Sequence, residues 1–541
     1  MTAAVGAELA LVVDVGSAWV KAGVIGRTRG RWRIVAHAAQ PTAWGAAELR
    51  RRLVEQLEAS GDPRLGGRYE DMMSSANRIE CHTARQVGRL AVVAVSRELS
   101  GGSARRAAEA AGWEIAEVVT LDDGRSLTDR LALLQATEVD AWLLAGGFDD
   151  ASSPRALEAA GLVAAARPLD GGPVVWAGSA NLSGAVEELF EPGAVAAVAN
   201  PRPTPHREHG GELREHLQAL LRETVAQEDQ AHLASTTLPR SVSAIAAAGG
   251  LRVMAVDIGA RGAIRAQAEP GGSVTSRLHS TGGLAGIALV PGAAGRISRL
   301  AGDAGEDAAV ADLVQTMRAR PASLPQTDEE LAGLHAAARV LLAAMFDDDP
   351  PGAVDLLIGA GRTIAGAPRP AQSARMLLDG VRPVGVTQLA VDSASILGPL
   401  GSLPDGELTE ALELLGDDAL TPLGTAVVAR GGTPGQVAMR VTVHRAGWPT
   451  PAAVEVRVGQ VHVVPLARGH EAELGIELGA GVSLGATRRS PRIAVTATGG
   501  SVGLILDARG VPIGLPRRAD DRREVLAGWR DAFARESEAS A

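Results

Sequence analysis

LALVVDVGSAWVKAG, residues 9–23, is the stretch on which the reading of this chain turns. Five apolar residues, Leu9 to Val13, fit a buried strand. Asp14, Gly16 and Ser17 then supply a carboxylate, a residue that lets backbone come close, and a hydroxyl. Lys21 follows on the strand expected to return. Backbone N–H groups of such a turn, together with an ammonium, suit the phosphates of a nucleotide, and a carboxylate can hold the water shell of Mg²⁺. The composition sharpens this reading. Of the 53 Lys and Arg residues, Lys21 is the single lysine. A chain that uses arginine everywhere else keeps one lysine where a compact point charge is needed and a planar fork does not serve.

The same form returns about 240 residues later. LRVMAVDIGA, residues 251–260, is again an apolar strand ending in Asp-hydrophobic-Gly, with Asp257 and Gly259 in the places of Asp14 and Gly16. Two such hairpins predict a duplicated domain with both loops facing one cleft. Between them, from about residue 70 to 200, strand and helix patterns alternate: Leu90 to Val95, Ile115 to Val119, Ala141 to Ala145 and Pro173 to Ala177 read as strands with helices between. That alternation predicts a parallel sheet covered on both faces, with Gly146-Gly147 and Gly178-Ser179 as candidate cleft loops at strand ends. PRPTPHREHGG, residues 201–211, reads as a hinge. Past the second hairpin, Thr327 and Glu330 form a capping box that opens a long helix. Val354 to Ile358 leads into Gly359-Ala360-Gly361, and Leu389 to Leu403 carries Asp392 and a small-residue helix or turn at Gly398 to Gly401. From about Thr425 short alternating runs broken by Gly read as antiparallel β structure, closed by a charged helix near Asp520 to Phe533.

Other chemistry is thin. The net charge of -10 argues against nucleic acid as the partner. One cysteine, Cys81, excludes an internal disulfide or a thiolate cluster and reads as a small buried residue. No uninterrupted apolar run has spanning length, and the first residues lack a signal-peptide pattern, so a cytoplasmic protein with no membrane segment is expected. His206 and His209 in the hinge read as solvated rather than as metal ligands.

DVGSAWVKAGVIG resembles the first phosphate loop of actin. With Asp257 and Gly359 to Gly361, the chain resembles the actin, sugar-kinase and Hsp70 ATPase fold. Over roughly residues 8–405 it is similar to the glutamate mutase L family, which is distinct from the mismatch-repair protein of like name. The matching stretches are Asp14 to Lys21, Ser74-Ser75-Ala76, the loop Leu143 to Asp149, Val174 to Gly178, Asp257 to Gly259, and Val384 to Asp392. The resemblance implies a two-lobed, ribonuclease H-like α/β fold. Its expected parts are a first lobe at 1–200 with an α/β insertion at about 70–200, a hinge and connecting helices at 201–250, a second lobe at 251–424, and a C-terminal β domain at 425–541. It implies ATP and Mg²⁺ as ligands. Asp14, Gly16, Ser17 and Lys21 would bind from one side and Asp257, Gly259 and Arg261 from the other. Gly359 and Gly361 would flank the adenosine, and Asp14 and Asp257 would face the metal. The implied function is ATP-dependent reactivation of an adenosylcobalamin-dependent mutase subunit.

The departures from that family bear on chemistry. Its second loop carries hydroxyls and a second acid where this chain has Ala260-Arg261-Gly262-Ala263. Its following acidic segment is Gly282 to Ile287 here, and its adenosine-side Gly-Gly is Gly361-Arg362. Losing groups that neutralise and position phosphate lowers hydrolysis more than binding, so a slow ATPase is expected. Arg261 and Arg362 either neutralise phosphate in their stead or are surface arginines beside a silent cleft. Two other functions remain open at this point: a non-hydrolysing scaffold, and a small-molecule kinase with Asp149 as its base.

Overall fold

The computed structural model describes residues 9–28, 31–60, 76–82, 88–111, 113–137, 139–149, 153–168, 171–226, 233–279, 283–302, 307–347, 349–445, 451–485 and 492–534. Ser74, Ser75 and Gly282, each used in reading the sequence, lie outside them. Two compact units are present, one formed by residues 1–84, 231–279 and 283–541, the other by 85–230 and 280–282.

In the first unit, β1 (Leu9–Val15), β2 (Trp19–Thr28), β3 (Arg31–Pro41) and β4 (Asn77–His82) form a sheet in the order β3-β2-β1-β4. β1 is antiparallel to β2 and parallel to β4. Its apolar run is continuous because both faces are covered. Leu9 and Val13 pack with Leu49, Leu53 and Leu57 of the helix Ala46–Ser60. Ala10 and Val12 pack on the other face with Ile396, Leu400 and Leu408, from 300 residues or more along the chain.

The second unit, taken by itself, is built from β5 (Arg89–Ala94), β6 (Glu114–Thr120), β7 (Ala141–Ala145), β8 (Val174–Trp176) and β9 (Val195–Ala197). All five are parallel, in the order β6-β5-β7-β8-β9, with the reversal between β5 and β7. Alternate residues again serve opposite faces. Leu90, Val92 and Ala94 pack with Leu213, Leu217 and Leu221 of the helix Gly211–Ala226, whereas Ala91 and Val93 pack with Ala159, Ala160 and Val163 of Pro154–Ala166. The segment expected as hinge is therefore divided: Gly211–Ala226 completes this unit's core, and the helix Ala234–Gly249 packs in the first unit.

The second half of the first unit repeats its first sheet. β10 (Val253–Ile258), β11 (Ala263–Ala268), β12 (Val274–Leu278) and β13 (Leu356–Ala360) run in the order β12-β11-β10-β13 with the same parallel and antiparallel pattern. The sheet then continues through β14 (Gly385–Val391), β15 (Thr421–Val428), β23 (Gly503–Asp507) and β19 (Val461–Val464). The boundary expected at 425 thus falls inside β15, which pairs with β14 on one side and β23 on the other. Only β17 (Val437–Arg445), β18 (Ala452–Arg457), β20 (Glu471–Leu478) and β22 (Arg492–Thr498) form a separate antiparallel sheet, beside a short pairing of β16 (Arg430–Gly431) with β21 (Val482–Ser483). The closing helix Ala519–Ala534 sends Leu526, Trp529 and Phe533 into the core of the second half.

A buried charge network ties these late elements together. Asp379 meets Arg339 at 3.1 Å and Arg509 at 2.9 Å, and Arg509 also meets Asp507 at 2.6 Å. The rings of Trp529 and Phe533 lie 5.2 and 5.7 Å from the Arg509 guanidinium. Burial raises the Asp379 carboxyl, but Arg509, Arg339 and Arg375 together hold it below the ordinary value. Burial, with Arg339 beside it, pushes Arg375 down to about 9 although its Nε lies 3.6 Å from the Asp379 carboxylate that Arg339 and Arg509 share.

Candidate functional site

Each hairpin of the first unit closes in the same way. The Gly16 N–H donates to the Trp19 carbonyl at 2.9 Å, and the Gly259 N–H donates to the Gly262 carbonyl at 2.8 Å. The Thr42 hydroxyl donates to the Gly16 carbonyl at 3.0 Å and fixes the first loop. Ser17 sits at the tip of that loop and Arg261 at the tip of the second, both partly exposed.

Two residues before each loop glycine stands an aspartate. Asp14 pairs in register with Lys21, whose Nζ donates to Asp14 Oδ2 at 2.5 Å. Both are shielded: Asp14 is 5% exposed, and the Lys21 side chain is 12% exposed. Burial works against the ammonium. Asp14, with Asp257 behind it, outweighs that penalty and holds Lys21 above the ordinary lysine range. Lys21 therefore stays charged at any physiological pH. On the parallel side Asp14 faces Cys81, whose Sγ lies 3.7 Å from Asp14 Oδ1. Burial, and then Asp14, raises that thiol well above its usual value, so Cys81 is a neutral neighbour.

Asp257 feels the same charges. Burial pushes its carboxyl up to about 6, Lys21 pulls it down, and Asp14 adds to the rise. Gly361 explains why the carboxylate can sit where it does. That residue has φ +82°, and a Cβ on it would stand 2.5 Å from Asp257 Oδ1 and 2.2 Å from the Ile258 carbonyl. Gly359 has a different role. A Cβ there would meet Ile364 at 2.6 Å and Leu377 at 3.1 Å, so it makes room for core packing beneath β13.

A third aspartate, Asp392, belongs to the group and was read from the sequence only as the end of a matching stretch. It is 3% exposed, and its two oxygens accept the N–H groups of Ile396 and Leu397, each at 3.0 Å. Burial pushes it up to about 6 despite those donors and the field of Lys21. One signal was available. Like Asp14 and Asp257, it comes directly after a run of apolar residues in a strand of the central sheets. Cys81 and Trp19 gave no comparable signal, because a buried cysteine and a loop tryptophan fit any core.

Lys21 opens on a cavity of about 550 Å³. His37, Ala39, Arg52 and Gln56 line it from the first half, and Gly361, Arg362, Gly366, Ser393 and Ser395 from the second. A volume of this order takes a nucleotide-sized ligand. Mg²⁺ keeps several waters and needs one or two carboxylates plus phosphate oxygens. Asp14 and Asp257 are carboxylates of that kind, but neither lines the cavity itself, and Asp14 Oδ2 is held by Lys21. Among the described residues no group of three or more His, Cys, Asp or Glu is placed to enclose an ion directly. No helix among them is long and apolar enough to cross a membrane.

Asp149 lies in the second unit. It shares Asn200 as a partner with the Gly147 carbonyl, Asn200 Nδ2 donating to Asp149 Oδ1 at 3.1 Å and to Gly147 O at 2.9 Å. Gly178 lines a separate cavity there, with Asp149, Trp176 and Asn200.

Residues 10–259 match the family model described as MutL protein, the glutamate mutase L family. The chain's sheets and helices make a mixed α/β fold. Among solved structures, a nucleotide-free acetone carboxylase is similar at 12% identity and a TM-score of 0.28, covering 83% of this chain and 81% of that one. The activator of 2-hydroxyisocaproyl-CoA dehydratase from Clostridium difficile, with bound ADPNP, is similar at 10% identity and a TM-score of 0.26, covering 75% and 97%. A glucokinase of the ROK family from Streptomyces griseus, in complex with glucose and AMPPNP, gives 12% identity and a TM-score of 0.21, covering 72% and 97%. Among curated proteins no match is found.

Proposed function

We propose that this chain, whose residues 10–259 match the MutL family model, binds Mg-ATP and uses it to reactivate or assemble an adenosylcobalamin-dependent mutase. The observation that carries the nucleotide reading is the Asp14–Lys21 pair, held at 2.5 Å, whose lysine lines a cavity that the second half closes with Gly361 and Arg362. In this reading Lys21 and the N–H groups of the first loop take the phosphates, and Asp14 and Asp257 hold the waters of Mg²⁺. ATP, bound by both halves at once, would alter the angle between them and with it the affinity for the partner. The metal would supply charge neutralisation to the phosphate oxygens.

A second reading, a scaffold that binds nucleotide and does not hydrolyse it, is favoured by the second loop. Ala260, Gly262 and Ala263 offer neither a hydroxyl nor a carboxylate to position an attacking water. A third reading, a small-molecule kinase, asks Asp149 to act as base, and its Oδ1 is committed to Asn200. Single-turnover hydrolysis of ATP, with and without a cobalamin-dependent mutase, separates these. Acceleration only with the mutase supports reactivation. Binding without turnover in either condition supports the scaffold, and phosphate transfer to a small hydroxyl compound supports the kinase.

A further inference from the structure

Arg362 is placed unlike the other cations of the Lys21 cavity. Arg51 is paired with Glu48 and Glu55, and Arg52 is paired with Glu48 and stacked on Trp44 at 5.0 Å. Lys21 has Asp14. Among the described residues Arg362 has no carboxylate partner, and burial lowers its pKa with no acid to offset the effect. Its guanidinium is nevertheless fixed. The Trp19 ring lies 4.9 Å from it on one side. On another side is Gly366, where a Cβ would fall 2.6 Å from both the Arg362 carbonyl and the end of its side chain at Nη1. An arginine without a counter-ion, braced by an aromatic ring from the first hairpin and lining a cavity with a lysine, is a built anion contact.

The second hairpin shows what this contact replaces. Ile264 stands opposite Asp257 in the register, where the first hairpin has Lys21 opposite Asp14. The second loop brings no hydroxyl. Ala360, the parallel partner of Asp257, lies two residues before Arg362.

We infer that Arg362 is the phosphate-binding cation of the second half, positioned by Trp19, and that it sets the preference of the cavity for a phosphorylated nucleotide over the bare nucleoside. This inference rests on the nucleotide reading of the Lys21 cavity. A guanidinium fork on phosphate oxygens makes charge-assisted hydrogen bonds whose loss costs about 10- to 100-fold in affinity.

The test is calorimetric titration of the full chain with ATP and, separately, with adenosine, using wild type, Arg362→Gln, Arg362→Lys, Trp19→Leu and Lys21→Gln. The expected result is a loss of about 10- to 100-fold for ATP in Arg362→Gln, with adenosine binding within about 3-fold of wild type. Arg362→Lys should recover part of the ATP affinity, and Trp19→Leu should lose part of it. Unchanged ATP affinity in Arg362→Gln, with loss in Lys21→Gln, overturns the inference and leaves the nucleotide reading standing. Equal losses for ATP and adenosine place Arg362 on the base and also overturn it. Absence of ATP binding in wild type removes the inference together with the nucleotide reading.

Discussion

Ile264 occupies in the second hairpin the position that Lys21 occupies in the first: each is the register partner of the aspartate two residues before the loop glycine. The duplication has preserved backbone geometry, loop closure and the acid while keeping the ammonium in one half alone. One Lys21 therefore serves two aspartates, and that is why it is both strongly held and unreplaced in a chain otherwise without lysine.

Lys21→Ala should weaken ATP binding more than Arg261→Ala, because Lys21 lies on the cavity wall and Arg261 at a partly exposed loop tip. It should also cost about 3 kcal/mol or more of stability, since Asp14 is left buried without its counter-charge. The double variant Asp14→Ala with Lys21→Ala should regain most of that loss. Calorimetry and urea denaturation of the three variants provide the check.

The pH dependence has a defined sign. Asp257 and Asp392 are both raised to about 6 in the folded chain, against an ordinary carboxylate value of 3.8. Between those values the folded state holds protons that the unfolded state has released, so stability from these two groups falls as pH rises from 4 through 6. Asp257→Asn should remove the Asp257 share of this slope, leaving that of Asp392, and make the protein more stable than wild type above pH 6, by about 1–2 kcal/mol. Metal-dependent nucleotide binding should run the other way in wild type, strengthening as Asp257 ionises. Unfolding midpoints at a series of pH values test the first claim, and ATP titrations in Mg²⁺ buffer test the second.

In the buried charge network, Asp379→Ala should be among the most damaging single changes in the second half. It leaves Arg339 and Arg509 without their shared carboxylate, at a cost of about 3–5 kcal/mol. Arg375→Met should be neutral or stabilising, because it removes a surplus like charge and keeps an apolar stem. Guanidinium unfolding curves for the two variants should move in these different ways.

Gly361→Ala should destabilise by about 1–3 kcal/mol and lower nucleotide affinity, because its φ of +82° disfavours a side chain and its Cβ would displace Asp257. Gly295, inside the helix Ala293–Ala301, has nothing within 4 Å of its Cβ position. Gly295→Ala should stabilise by about 0.5–1 kcal/mol. Opposite shifts in melting temperature are the readout.

Both hairpins, their aspartates and Lys21 were legible in the sequence because they depend on local order: an apolar strand, a tight loop and a returning strand set their own register. The alternating strands of the second unit were legible for the same reason. Other features depend on distant contacts. Gly359 and Gly361 look alike in a Gly-Ala-Gly run, yet one faces Ile364 and Leu377 and the other faces Asp257, a difference decided by what packs against each α-carbon. The strands after 421 show the same limit. Thr421–Val428 and Gly503–Asp507 are largely apolar because they lie inside the eight-stranded sheet with both faces covered, while Val437–Arg445 and Glu471–Leu478 alternate because one face is solvated. Composition along a strand reports how many of its faces are buried. It does not report which sheet buries them, and pairing between residues 79 apart, such as Thr425 with Leu504, is fixed only when the whole chain has closed its core.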